Sequence, residues 1–151
     1  MLKNTTIKTP NEFDVKQLLQ ECGLPASDIT PKHLEHFFGF YDNSGLLGVV
    51  GLEIFGTIAL LRSLAVLSKH RKNGIGRHLV AHAEQYAHAQ CVQVIYLLTA
   101  TADQFFSKLG YSPTPRSQAP SAIQETAEFS NLCPSSSILM VKHPVRQLSI
   151  S

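Results

Sequence analysis

The stretch Lys69-His70-Arg71-Lys72-Asn73-Gly74-Ile75-Gly76-Arg77 has the residue types and spacing of a phosphate site. A short polar turn closes with Arg71-x-x-Gly74-x-Gly76, and a helical pattern starts directly behind it. Amides in a first helical turn have no partner within the helix, and the helix dipole adds about half a positive charge there. Gly74 and Gly76 let a ligand approach the backbone and tolerate positive φ. Two charged residues stand inside apolar runs: Glu53 in Val49-Val50-Gly51-Leu52-Glu53-Ile54, and Arg62 after Leu60-Leu61. Each is costly there unless it is paired. Arg62 carries the planar fork that grips a carboxylate or oxyanion bidentately. Ser63 is adjacent but falls on the opposite face of a regular strand, so the two line one pocket only across a bulge.

Other chemistries are excluded by spacing. A dinucleotide fingerprint wants a third glycine where Leu79 stands and an acid near Tyr96, and neither is present. The P-loop pattern is absent. His78 and His82 are four apart on one helix, but H-E-x-x-H is missing and no third ligand is evident, so no metal is expected. Cys22, Cys91 and Cys133 are odd in number, widely spaced and form no C-x-x-C pair, which implies reduced thiols in a cytoplasmic protein. Cys22 and Cys91 lie in apolar surroundings and are expected in the core. Cys133 lies in a polar loop.

The elements that must position these residues follow from periodicity. Thr5 to Thr9 reads as a strand, and Phe13, Val15, Leu18 and Leu19 recur at helical spacing up to Cys22. Gly23-Leu24-Pro25 breaks that helix, and Thr30-Pro31 opens a short turn through His36. Phe37 to Tyr41, Leu46 to Phe55 and Ile58 to Leu67 are strands joined by two short turns, an antiparallel meander. Ile75, Leu79, Val80, Ala83 and Ala87 form one face of a helix ending near Gln90, and Val92 to Leu98 reads as a buried strand. A strand, a helix and a second buried strand make a β-α-β unit with parallel strands and a right-handed crossover. A short helix from Thr101 ends at Gly110, a C′ glycine. Tyr111 to Pro120 is loop or edge strand, and Ser121 caps a helix through Phe129 with Ile123 and Ala127 inward. Ser137 to Lys142 is the final strand.

At 151 residues, 44% hydrophobic and 16% charged, the chain is expected to form one domain over residues 1–151. A net charge of +2 with scattered Lys and Arg argues against a nucleic-acid groove. No apolar run reaches the ~18 residues that span a bilayer. Met1 to Thr5 has no apolar core of a signal peptide.

Arg-x-x-Gly-x-Gly between a strand and a helix resembles the acetyl-coenzyme A motif of the GNAT N-acetyltransferases. The element order, an antiparallel meander running into one β-α-β unit, is similar to the GNAT acyl-coenzyme A N-acyltransferase fold, an α/β class with an α+β mixed sheet. Leu64-Ala65-Val66 resembles the strand whose splayed edge binds the pantetheine arm in that family. Ala102-x-x-Phe105-Phe106-x-x-Leu109-Gly110-Tyr111 is similar to its A-x-x-x-Y-x-x-x-G-F/Y element. Val50 to Glu53, Leu61 to Val66 and Thr126 to Pro134 look like the branch associated with arsenic-resistance clusters. That branch resembles enzymes acetylating the amine of glutamate-like arsinate or phosphinate amino acids.

The resemblance implies acetyl-coenzyme A as cosubstrate and a small-molecule amine as acceptor, with no nucleic-acid or membrane partner. A homodimer is one assembly the family uses. The implied cofactor residues are Leu64, Ala65, Val66, Arg71, Lys72, Asn73, Gly74, Ile75, Gly76, Arg77, Thr99, Phe105 and Phe106. Glu53 is the candidate base for the amine, and Arg62 and Ser63 the candidate acceptor contacts. At Phe106 the family often has tyrosine, whose hydroxyl protonates the departing thiolate. Phenylalanine cannot do this, although a thiol of pKa about 8.5 leaves tolerably unaided. Thr99 stands where many members have asparagine. Gln124 to Phe129 is read either as a lid whose acids meet an ammonium or as a polar helix surface. Two rival functions fit the same residues: a non-catalytic acyl-coenzyme A binding module, favoured by Phe106, and an acetyltransferase for protein N-termini or lysines.

Overall fold

The structure, a computed structural model, describes residues 4–143. Met1 to Lys3, where the reading for a signal peptide begins, lie outside the described residues, as do residues 144–151. Strand β1 (Thr6–Lys8) leads through helix α1 (Glu12–Glu21) to β2 (Phe37–Asp42), β3 (Gly45–Phe55) and β4 (Ile58–Val66). Helix α2 (Ile75–Ala89), β5 (Val94–Thr99), α3 (Asp103–Lys108), β6 (Ser112–Thr114), α4 (Ser121–Gln124) and β7 (Ile138–Lys142) follow. The strands form one sheet in the order β1-β2-β3-β4-β5-β7-β6. β1–β2, β2–β3, β5–β7 and β6–β7 pair antiparallel, and β4–β5 is parallel. The mixed class and the β-α-β unit expected from the sequence are therefore present. No helix among the described residues is long and apolar enough to cross a membrane.

Chain contacts divide the protein into two compact units. The first holds the residues up to Glu53 together with Ser63–Ala83. Its core joins Val15, Leu18 and Leu19 of α1 to Ile29, Leu34, Phe37, Val49 and Ala65. Helix α1 starts on Asn11, whose side chain accepts from the Asp14 amide at 2.8 Å, a side-chain N-cap. Gly48 lets this unit close: a Cβ there would meet Ala65 O and Ile75 Cγ2 at 3.1 Å each. The bare backbone of β3 is what brings Ala65 and the start of α2 onto one support.

The second unit holds Ile54–Arg62 and the residues from Glu84 onward. Leu60, Ala119, Ile123 and Leu139 form its core. The Glu84 carboxylate accepts from Tyr111 Oη at 2.8 Å and from Lys142 Nζ at 3.0 Å, and Lys142 also donates to Leu109 O. That network ties α2, β7 and the end of α3 together. Burial and the nearby Glu84 push the Tyr111 phenol well above its usual range, so it stays a hydroxyl donor.

Helices α1, α2 and α3 end alike. The amide after each left-handed residue bonds back five residues (Leu24 to Leu19 O, Val92 to Ala87 O, Tyr111 to Phe106 O), the Schellman arrangement. Gly23 and Gly110 occupy the left-handed position in α1 and α3, and Cys91, at φ +69°, occupies it in α2. This overturns the expectation that Cys91 is core. It is exposed because the C′ residue points out of the helix end, and Val92 is the residue that buries. The same motif delays β5 to Val94. Helix α4 is also shorter than expected. Thr126 Oγ1 donates to Ile123 O at 2.7 Å and accepts from the Phe129 amide, and a π-helical turn at Glu128–Leu132 replaces the continuation to Phe129. Ile123 is buried as expected.

His82 makes an edge-to-face contact with Phe38 at 4.8 Å, and burial lowers its pKa from 6.5. The unfolded chain therefore takes up the proton first as pH falls. Stability from this contact is complete above about pH 6.5 and declines as pH drops toward the lower folded value. The urea midpoint of His82→Phe should fall less than that of the native chain between about pH 7 and pH 5.

Candidate functional site

In the first unit, β4 ends at Val66 and a 3-10 turn (Ser68–His70) carries the chain into the glycine turn. Lys72 (φ +73°) and Gly74 (φ +81°) are both left-handed, and the position a Cβ of Gly74 would take is open space. Glycine is thus required at 74 by the backbone angle rather than by packing. Gly74 O accepts the first helical bond of α2, from the His78 amide at 3.0 Å. The amides of Ile75, Gly76 and Arg77 precede that bond and are the donors of the helix start. Lys72, Asn73, Gly74 and Arg77 are exposed, while the Ile75 side chain is buried and fixes the turn to the core. Arg71 Nε donates to Val66 O at 2.9 Å, so this side chain braces the strand end against the turn. Leu64 and Val66 are half-buried and Ala65 is buried. The pairing of β4 with β5 covers only Ile58 to Leu61, whereas β4 runs on to Val66.

Glu53 also belongs to the first unit. Leu52 is buried on the other face of β3, as alternation requires, and Glu53 Oε1 lies 4.0 Å from His33 Nε2. One oxygen each of Asp28 and Glu53 and one His33 ring nitrogen lie within 4.8 Å of one another. The His33 ring is set by its own turn. Thr30 N–H donates to Nδ1 at 3.1 Å, and the His33 amide donates to Thr30 Oγ1 at 3.4 Å. Leu34 N bonds Thr30 O, so Thr30-Pro31-Lys32-His33 closes as a capping box with histidine in the acid's place. Thr30 Oγ1 also lies 3.1 Å from Nδ1, so both Thr30 groups meet that nitrogen, and Nε2 is the ring atom that faces Glu53. The sequence shows Thr30 as a turn opener, but not that His33 would meet Glu53.

In the second unit Arg62 is 2% exposed, and its Nη2 lies 3.2 Å from Glu128 Oε2. Glu128 is likewise buried and accepts from Cys133 Sγ at 3.5 Å. The 121–132 segment therefore turns one acid, Glu128, into the interior and leaves Glu125 exposed. Arg116 donates to Phe129 O and Ser137 O and lies over the Phe129 ring, clamping the segment from its other side. Sequence reasoning missed the partner of Arg62, and the only signal for it was an acid in the Thr126 to Pro134 run. Ser63 has φ +59°, a left-handed residue inside β4, and Arg62 and Ser63 are both buried in succession.

Burial and the neighbouring Glu128 raise the Cys133 thiol to about 12, which keeps it protonated and removes it as a nucleophile. On the native chain, iodoacetamide with mass mapping should label exposed Cys91 well before Cys133. Thr99 Oγ1 accepts from the Ala102 amide at 2.9 Å and holds the turn into α3. Phe106 is buried and packs edge-on against Tyr111 at 5.7 Å, while Phe105 stays partly exposed.

With this geometry in hand, the comparisons are specific. Residues 33–113, more than half of the chain, match the acetyltransferase (GNAT) domain. An uncharacterized N-acetyltransferase of Chlorobaculum tepidum is 31% identical over 93 residues, covering 61% of this chain and 59% of that protein. Among solved structures, the N-acetylglutamate synthase of Neisseria gonorrhoeae, complexed with coenzyme A and N-acetyl-glutamate, superposes with a TM-score of 0.79 at 17% identity. That match covers 97% of this chain and 36% of the synthase. A GNAT-family acetyltransferase of Staphylococcus aureus gives a TM-score of 0.72 at 18% identity over 92% of this chain and 98% of its own. This chain thus spans less than two thirds of both the curated relative and the synthase. By the match over residues 33–113, the chain belongs to the GNAT acetyltransferase domain family.

Proposed function

We propose that the chain is an acetyl-coenzyme A-dependent N-acetyltransferase. Its acceptor is a small primary amine, an amino acid or a glutamate-like arsinate or phosphinate analogue, and detoxification is the outcome. The carrying observation is the exposed, left-handed turn at Lys72 to Gly74, with the helix-start amides of Ile75, Gly76 and Arg77 directly behind it. These donors, with the Lys72 and Arg77 charges, fit a pyrophosphate. Acetyl-coenzyme A supplies the acetyl group as a thioester. Glu53 takes a proton from the acceptor ammonium, the freed nitrogen bonds to the acetyl carbon and gives its second proton to solvent, the carbon–sulfur bond breaks, and the thiolate leaves to be protonated from solvent. Phe106 has no hydroxyl to offer the thiolate, and solvent is the proton source in this reading. Backbone amides along Leu64 to Val66 are the donors for the pantetheine and for the carbonyl oxygen as its charge grows.

The acceptor class draws support from two sources: the sequence words shared with the arsenic-associated branch, and the N-acetyl-glutamate bound to the gonococcal synthase. Arg62 enters this reading as a positioning residue, since its guanidinium is occupied by Glu128. Thiol release from acetyl-coenzyme A, measured across amino acids, polyamines, aminoglycosides and phosphinate or arsinate glutamate analogues, tests the proposal. Amine-dependent release with an amino-acid-like acceptor is expected. Tight coenzyme binding without release from any amine in the panel would instead support the non-catalytic binding module.

A further inference from the structure

From the Asp28–His33–Glu53 cluster we infer that His33 is a positioning residue for Glu53, aiming the carboxylate through an Nε2–H. This rests on the reading of Glu53 as base. Thr30-Pro31-Lys32-His33 closes on itself through Thr30 N–H to Nδ1 and His33 N–H to Thr30 Oγ1. The Thr30 amide at Nδ1 orients the ring and, as a donor, assigns the ring proton to Nε2. The free end of the ring then faces Glu53 at 4.0 Å.

Asp28 brings a second carboxylate within 4.8 Å. Two carboxylates this close repel, and an N–H donor beside them offsets part of that repulsion. A 4.0 Å separation is longer than a formed hydrogen bond, as is common for catalytic contacts in unliganded sites, which tighten when substrate binds. In this tautomer the ring offers the cluster a hydrogen rather than a lone pair. That distinguishes a positioning role from metal ligation, which needs the Nε2 lone pair.

Two measurements on the full chain test the inference. Long-range proton–nitrogen spectra of the free protein, with His33 assigned by His33→Gln, should give the Nε2–H tautomer and a displaced Nε2 signal in Glu53→Gln. An Nδ1–H tautomer, a signal indifferent to Glu53→Gln, or conversion to Nδ1–H on adding Zn²⁺ overturns it. In the kinetic arm, thiol release from acetyl-coenzyme A is followed with L-glutamate and its methylphosphinate analogue as acceptors. His33→Leu should lower kcat about 10-fold, short of the ~100-fold that gross misplacement of a reacting group costs, with KM for acetyl-coenzyme A and the melting temperature unchanged. His33→Gln, which keeps an N–H donor, should recover most of the loss. Native kcat in His33→Leu beside an inactive Glu53→Gln overturns the inference alone. Native kcat in Glu53→Gln overturns the base reading on which it rests. If neither acceptor turns over, that counts against the proposed acceptor class, and the spectra decide the role of His33.

Discussion

Arg62→Met should cost the fold about 3–5 kcal/mol, the range for breaking a buried ion pair by removing one partner. The Arg62 guanidinium is fully enclosed, and Glu128 beside it is nearly so. Removing the cation takes a charged partner from a carboxylate in a poorly hydrated interior. Glu128→Leu should be similarly costly, since it takes the anionic partner from a buried guanidinium. The double variant Arg62→Met/Glu128→Leu should recover most of either loss, because desolvating two charges offsets much of what their attraction contributes. Urea denaturation of the four proteins gives the coupling directly. Additive losses in the double variant would show that the two residues act through separate contacts. Recovered stability with lost turnover would show that the pair is retained for what it positions in β4, next to left-handed Ser63, rather than for stability.

This pair also marks where sequence reading stops. The glycine turn, α2 and the flanking strands are legible because their signals are local: a 3.6-residue apolar stripe, two glycines at fixed offsets, and short β-branched runs on either side. Glu53 is legible as an anomaly, a charge in an apolar strand. Its neighbour is not, because His33 reaches it only through a fold-dependent approach of two distant segments. Arg62 shows the same limit: the strand pattern asks for a partner but cannot say that Glu128 supplies it. Cys91 misleads for a different reason. Its apolar flanks suggest burial, while the Schellman end of α2 requires a left-handed residue and turns it outward. In the 121–132 segment, Thr126 competes for the helical carbonyls, and a pattern that reads as one helix becomes a short helix and a π-helical turn.

Glu53→Gln should lower turnover about 10²–10⁴-fold, the usual contribution of a positioned general base, and leave coenzyme A binding within twofold of native. The substitution keeps the side chain's size and one oxygen acceptor but removes its ability to take a proton. The groups assigned to the coenzyme, the turn at Lys72 to Gly74 and the amides of Ile75 to Arg77, are untouched by it. The fold should tolerate the change, because it removes one of two carboxylates gathered with His33. Residual activity should also respond to pH in a defined direction. The α-amino group of a free amino acid is mostly ammonium at neutral pH, and its free-amine fraction rises about tenfold per pH unit below its pKa. Without an enzymic base the reaction depends on that fraction, so Glu53→Gln should climb steadily with pH while the native rate levels off. A flat profile in the variant at a normal rate would remove Glu53 from the mechanism. A flat profile at a low rate would mean that proton removal is not the step it serves, and that its charge instead holds the acceptor ammonium in place.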